Sequence, residues 1–378
     1  MKSPLAAIGD FGQSIWLDYI RRGFLLNGDL KALIDNDGLK GVTSNPAIFE
    51  EAIAHSDDYW DTIQSMASEA KSTEDVFLTL AMEDVRTAAD IFKEVYAATK
   101  HLDGYVSLEV SPSLAMNTEG TIAEAKSSWK ALDRPNVMIK IPATLEGIPA
   151  IKAAISEGIN INVTLLFSLE RYRVVAEAYI GGIEERLSKG LPVKDVYSVA
   201  SFFLSRIDTL VDPMLEKAAA EGGDKGEAAK SLIGEIAIAS AKGAYNIYKE
   251  LFHSDRFKAL AGKGANPQRL LWASTSTKNK AYSDVKYIEA LIGPDTVNTV
   301  PQETLKAYRD HGHPAARLED GAQDSKEKLA RLEKAGISLN DVTRTLEEEA
   351  ISKFVKPFES LMGVLAEKLK EAADLSHS

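Results

Sequence analysis

Short apolar runs alternate with longer amphipathic stretches along most of the chain. The runs are SIWLD (14–18), GVTSN (41–45), YVSLEVS (105–111), VMIKIPA (137–143), INVTLLF (161–167), YSVASFF (197–203), RLLWAST (269–275) and TVNTVP (296–301). They are rich in β-branched, aliphatic and aromatic residues and short enough to be strands, so eight strands are predicted. Between them apolar residues recur at helical spacing. In EDVFLTLAMEDVRTAADIFKEVYAATK (74–100) they are Leu78, Ala81, Val85, Ala88 and Phe92. A β–α alternation of this kind predicts the α/β class with a parallel sheet, and eight units permit closure into a (β/α)8 TIM barrel. An open doubly wound sheet is the alternative. Its dinucleotide-binding form brings a glycine-rich βα turn, and no G-x-G-x-x-G is present.

The barrel is expected to occupy residues 1–318, and the charged tail 319–378 to form a helical C-terminal extension packed on it. The charge density of DSKEKLARLEK and EEEAISKFVKPFESLMGVLAEKLKEAAD reads first as a solvated face, with a seat over the barrel mouth as the alternative. EGGDKGEAAK (221–230) reads as a surface loop, and GKGANP (262–267), which lacks the G-K-[ST] ending of a phosphate loop, as a plain turn.

Composition narrows the chemistry. The 378 residues are 45% apolar and 26% charged, ordinary for a globular chain, with a net charge of −12. No basic footprint for nucleic acid exists. Any anionic ligand must meet positive charge concentrated locally. The absence of cysteine excludes disulfides, thiolate-bound zinc and thiol nucleophiles. No run approaches the roughly 18 apolar residues of a membrane span, and the N-terminus carries no signal-peptide core, so a cytoplasmic protein is expected. Asn162-Val163-Thr164 matches a glycosylation sequon but lies inside an apolar run.

Within VMIKIPAT (137–144) one residue is out of place: Lys140, a charged amine in a strand. Lysine is rarely buried unless something pairs with it or uses it. Alternation across the strand sets Val137, Ile139 and Ile141 on one face and Met138 and Lys140 on the other. The β-branched face suits packing against helices, which points Lys140 into the barrel. The same exercise sets Asp18, Asn45, Glu109 and Thr164 opposite their aliphatic neighbours. Ser201 and Ser274 divide less cleanly, because both faces of their strands carry apolar residues. Most of the six lie near the C-terminal ends of their runs, where barrel active sites are built. A lone buried lysine reads as a core salt bridge; a lysine with two carboxylates and several hydroxyls reads as a reacting group. Burial disfavours an ammonium, and a neutral amine attacks carbonyls to form a Schiff base, whose iminium is an electron sink. Neighbouring carboxylates oppose that loss of the proton.

These residues, in this order, resemble the transaldolase family from about residue 10 to residue 310. WLDYIRRG resembles its first-strand motif, GVTSNPAIF its T-[ST]-N-P motif, VMIKIPAT its Schiff-base strand and INVTLLFS its fifth strand. VASFFLSRID and LLWASTSTKN resemble the sixth and seventh. Each motif alone is weak; together, in family order, they are specific. The length and C-terminal extension are similar to a longer bacterial subclass. The resemblance implies a barrel enzyme without cofactor or metal. It would move a dihydroxyacetone unit from sedoheptulose 7-phosphate to glyceraldehyde 3-phosphate, in the non-oxidative pentose phosphate pathway. It implies Lys140 as the Schiff-base lysine, Asp18 as the base for the C4 hydroxyl, and Glu109 and Thr164 as holders of a proton-shuttling water. Asn45 and Ser201 would bind donor hydroxyls, Phe203 would shield the site, and Arg206 and Ser274 would hold the phosphate.

Other roles compete: structural ion pairs for Asp18 and Glu109, and a helix cap or a pairing with Asp208 for Arg206. One position departs from the family pattern. Many members carry an arginine two residues after the serine matching Ser274; here that residue is Ser276, and Lys278 is the candidate to supply the charge. A lysine is a point charge rather than a bidentate fork. A class I aldolase that releases dihydroxyacetone, and a catalytically dead barrel kept as a scaffold, are the rival functions. The oligomeric state is left open. His311 and His313 form an H-x-H without a third metal ligand, and His55, His101, His253 and His377 are scattered. Trp16 and Trp272 are expected near the barrel interior, as packing.

Overall fold

The computed structural model describes residues 2–376 except 68 and 70; His377 and Ser378 lie outside the described residues. Eight parallel strands close into a barrel in sequence order. They are β1 (Gln13–Asp18), β2 (Gly41–Thr43), β3 (Tyr105–Glu109), β4 (Val137–Pro142), β5 (Ile161–Leu166), β6 (Ser198–Phe203), β7 (Arg269–Ala273) and β8 (Thr296–Val300). β8 pairs with β1 to shut the sheet. This is the (β/α)8 barrel that the periodicity predicts.

Alternation across the strands sorts the core into two clusters. Ile15, Leu17, Val42, Val137, Ile139, Ile141 and Val163 face outward into the large cluster shared with the helices. Trp16, Tyr105, Met138, Val199, Leu271 and Val297 fill the barrel. Gly41 makes room for this filling, since a Cβ there would lie 2.7 Å from the Trp16 ring. Trp272 departs from expectation. It joins the outer cluster and meets Phe202 edge-on. Its neighbour Leu271 takes the inward place; with apolar residues on both faces of β7, parity alone did not say which.

Two further corrections concern helices. Residues Gly223–Lys230 form a helix rather than a loop, with Gly226 and Ala229 buried, Gly226 close to Ala218 and Ala219. The C-terminal helix, Leu339–Ser376, hides an apolar stripe beneath its charge. Val342, Leu346, Ala350, Phe354, Phe358, Leu361 and Leu365 recur every three or four residues and are buried. Phe358 meets Phe77 edge-on at 5.7 Å, and Phe77 meets Phe49 at 5.6 Å, which ties this helix to those of Pro46–Ala54 and Thr73–Ile91. Each such buried large side chain contributes roughly 1.5–3 kcal/mol. Arg171 adds a polar tether, donating to Ala143 O at 2.6 Å and to Glu347 at 2.9 Å. The helix thereby crosses the C-terminal ends of the strands. No helix among the described residues is long and apolar enough to cross a membrane.

Candidate active site

A cavity of about 300 Å³ opens at the C-terminal end of the barrel. Its floor carries Asp18 from β1, Glu109 from β3, Lys140 from β4 and Thr164 from β5, one residue from each of four strand ends. Lys140 and Glu109 stand side by side because β3 and β4 pair in that register. The side-chain nitrogen of Lys140 donates to Ser44 O at 3.0 Å and stands 3.5 Å from Glu109 Oε1. Both residues are more than nine-tenths buried: Lys140 is 7% exposed and Glu109 8%.

The two carboxyls are held differently. Asp18 Oδ1 accepts from Thr43 Oγ1 at 2.7 Å, and that hydroxyl also meets Thr299 Oγ1 at 2.7 Å. Burial raises the Asp18 pKa, against the pull of Lys140 and the Thr43 hydrogen bond. Neither oxygen of Glu109 has a hydrogen-bond partner among the described residues. Burial pushes Glu109 up to about 7, with Lys140 opposing and Asp18 adding to the rise. A carboxyl near 7 can give or take a proton at working pH, the property a general acid–base requires.

The walls bring together the other six predicted residues. Ser201 Oγ donates to Asn162 Oδ1 at 2.6 Å, leaving its lone pairs for the cavity. The sequon residue Asn162 is fully buried inside β5. Asn45 is not in a strand: β2 ends at Thr43, and Asn45 caps the Pro46–Ala54 helix, its Oδ1 accepting from Ile48 N at 3.0 Å. Its amide NH2 remains to donate into the cavity it lines. The Phe203 ring forms one wall, with the Arg206 guanidinium 5.6 Å from its centroid. Arg206 does not pair with Asp208, which is taken by Tyr287, Ala237 N and Lys286. Its guanidinium has no hydrogen bond or ion pair among the described residues, and burial lowers its pKa. Ser274 adopts φ +53°, a left-handed backbone uncommon outside glycine, and meets Ser205 Oγ at 2.8 Å. Lys278 lines the rim and donates to Ser276 Oγ at 2.7 Å.

The chain matches the family model described as transaldolase/fructose-6-phosphate aldolase over residues 15–365. It is 48% identical to a transaldolase of Trichodesmium erythraeum, covering 97% of this chain and 98% of that protein. It is 47% identical to a transaldolase of Saccharopolyspora erythraea (98% and 99% covered) and 43% to one of Mycolicibacterium smegmatis (97% and 98%). The chain belongs to the transaldolase/fructose-6-phosphate aldolase family.

Sequence reasoning missed several parts of this cavity. Thr43 holds Asp18, and Thr299 meets Thr43 in turn; both sat in view as inward residues of β2 and β8, and the strand parity that found Lys140 would have found them. Leu165, at φ +56° where β5 shifts register against β6, lines the cavity through an irregularity that no sequence pattern marked. Ala350, Lys353, Phe354 and Pro357 enter from the C-terminal helix. His311 meets Asp284 and Asp310 rather than a metal cluster, and among the described residues no group of metal ligands exists.

Proposed function

We propose that the chain acts as a transaldolase through a Schiff base on Lys140, with residues 1–318 as its catalytic barrel, working on sugar phosphates in the cytoplasm. It moves a dihydroxyacetone unit from sedoheptulose 7-phosphate to glyceraldehyde 3-phosphate, giving erythrose 4-phosphate and fructose 6-phosphate. The observation that carries this reading is a buried primary amine 3.5 Å from a carboxyl held near 7, on the floor of a cavity whose rim carries Arg206 and Lys278.

The unprotonated amine adds to the C2 carbonyl of the donor ketose. The carbinolamine oxygen takes a proton from Glu109 and leaves as water, and the nitrogen pair closes the iminium. Asp18 removes the C4 hydroxyl proton; that oxygen becomes the carbonyl of the departing aldehyde. The C3–C4 bond breaks and its electron pair flows into the iminium, leaving an enamine on Lys140. The enamine attacks the aldehyde carbon of the acceptor, whose oxygen recovers the proton from Asp18. Water, positioned by Glu109 and Thr164, then hydrolyses the new iminium and frees the amine. Asn45 and Ser201 bind donor hydroxyls, Phe203 excludes solvent, and Arg206, Ser274 and Lys278 receive the phosphate. A guanidinium with no hydrogen bond or ion pair among the described residues is suited to that task.

Borohydride reduction in the presence of fructose 6-phosphate, followed by intact mass, tests the imine. A covalent adduct is expected on the wild type and absent from Lys140→Ala; no adduct on the wild type overturns the reading. Free dihydroxyacetone measured with and without glyceraldehyde 3-phosphate separates transfer from simple cleavage, and release as fast as transfer would favour the aldolase.

A further inference from the structure

The C-terminal helix brings a cation of its own to the cavity. Lys353 lines the same cavity as Arg206, Lys278 and Ser276. Its amine donates to Glu349 Oε2 at 2.7 Å, one turn earlier on the same helix. Glu349 also feels Arg206: the Lys353 hydrogen bond and charge, then Arg206, lower its pKa. Glu349 is thus an exposed carboxylate paired with one cation, and within the field of a second, of a cavity that, on the reading above, must receive a phosphate dianion. Ser276, in the same lining, offers only a hydroxyl and engages Lys278. The helix is anchored through Phe354 and Phe358 on either side of Pro357, so Lys353 is presented from a fixed backbone while its four-carbon stem stays free.

We propose that Lys353 is a phosphate-binding residue of the active site, and that Glu349 is its internal counter-ion, displaced when a phosphorylated sugar enters. The extension then supplies substrate recognition rather than a cover alone. This rests on the phosphorylated-sugar reading of the preceding section. An exposed lysine–carboxylate pair is held weakly, so exchanging Glu349 for a doubly charged phosphate is favourable.

The two residues should act with opposite sign. Lys353→Gln should raise the KM for fructose 6-phosphate and the inhibition constant of inorganic phosphate by roughly five- to tenfold, with the larger effect on KM than on kcat, where tenfold corresponds to about 1.4 kcal/mol. Glu349→Gln should lower both constants about two- to threefold by the same conversion. Both side chains are exposed, and unfolding midpoints by circular dichroism check that both variants fold. Unaltered phosphate inhibition in Lys353→Gln, or weakened inhibition in Glu349→Gln, would overturn the proposal. Borohydride trapping with dihydroxyacetone, which carries no phosphate, keeps the two readings apart. An adduct on Lys353→Gln with unaltered phosphate inhibition sinks this proposal alone, whereas no adduct on the wild type sinks the imine.

Discussion

At the base of the barrel Arg269 and Asp103 meet at 3.0 Å; at the mouth Lys140 and Glu109 stand 3.5 Å apart. Both pairs are buried, and both join inward-pointing groups of the same barrel. At the base every charge is answered. Asp103 accepts from Ser14, Trp16 and Arg269, and Arg269 also donates to Ser14 Oγ and Leu102 O. At the mouth Glu109 has two bare oxygens and a pKa near 7. A satisfied buried pair fixes structure, because removing one partner strands the other. An unsatisfied one leaves protons and lone pairs for a substrate, at the expense of stability.

The comparison breaks most sharply at Lys140. Lys140→Met should abolish turnover while leaving the unfolding midpoint near or above that of the wild type, because Glu109 can take a proton and become neutral; residual turnover above background in a coupled assay would refute it. Next, Asp18→Asn should cut turnover by roughly 10²–10⁴-fold, the ordinary worth of a positioned base, yet still give a borohydride adduct. Unchanged turnover would remove Asp18 from the mechanism. Arg269→Met should do the reverse of Lys140→Met. Denaturant titration should show about 3–5 kcal/mol of lost stability, with activity per folded molecule within a few-fold of normal.

Glu109→Gln gives the smallest and most diagnostic signal, in pH dependence. Glu109 must be protonated to expel the carbinolamine hydroxyl, so trapping of the imine should decline as pH rises past about 7, and that decline should vanish in the variant. Stability supplies a second check. The folded pKa lies above the ordinary carboxylate value, so the contribution of Glu109 is complete below about 4.5 and is lost as pH rises through about 7. The stability gap between Glu109→Gln and the wild type should therefore widen over that window in favour of the variant, then level off. A gap that is flat with pH would mean that Glu109 titrates normally.

The strands and the floor of the site were legible because a barrel strand writes its two faces into alternate residues. Lys140 announced itself by sitting among Met138, Ile139 and Ile141, and Asp18, Glu109 and Thr164 followed by the same parity. Where the chain leaves strand geometry, parity fails. Asn45 reaches the cavity as a helix cap, and Ser274 by a left-handed turn. At β7, apolar on both faces, Trp272 and Leu271 were indistinguishable until helices covered one side. The segment 221–230 was hidden by its glycines, which local propensity reads as loop although packing against the preceding helix holds it helical.

By itself, then, the sequence determined what depends on local alternation: eight strands, a parallel sheet able to close into a barrel, and an amine with two carboxyls on the inner face of its strand ends. Tertiary structure alone decided what depends on which surfaces meet. It set the Lys140–Glu109 spacing through the β3–β4 register and left both Glu109 oxygens without a hydrogen bond among the described residues. It also laid the C-terminal helix over the mouth, because an apolar stripe shows that a helix must be covered without showing by what.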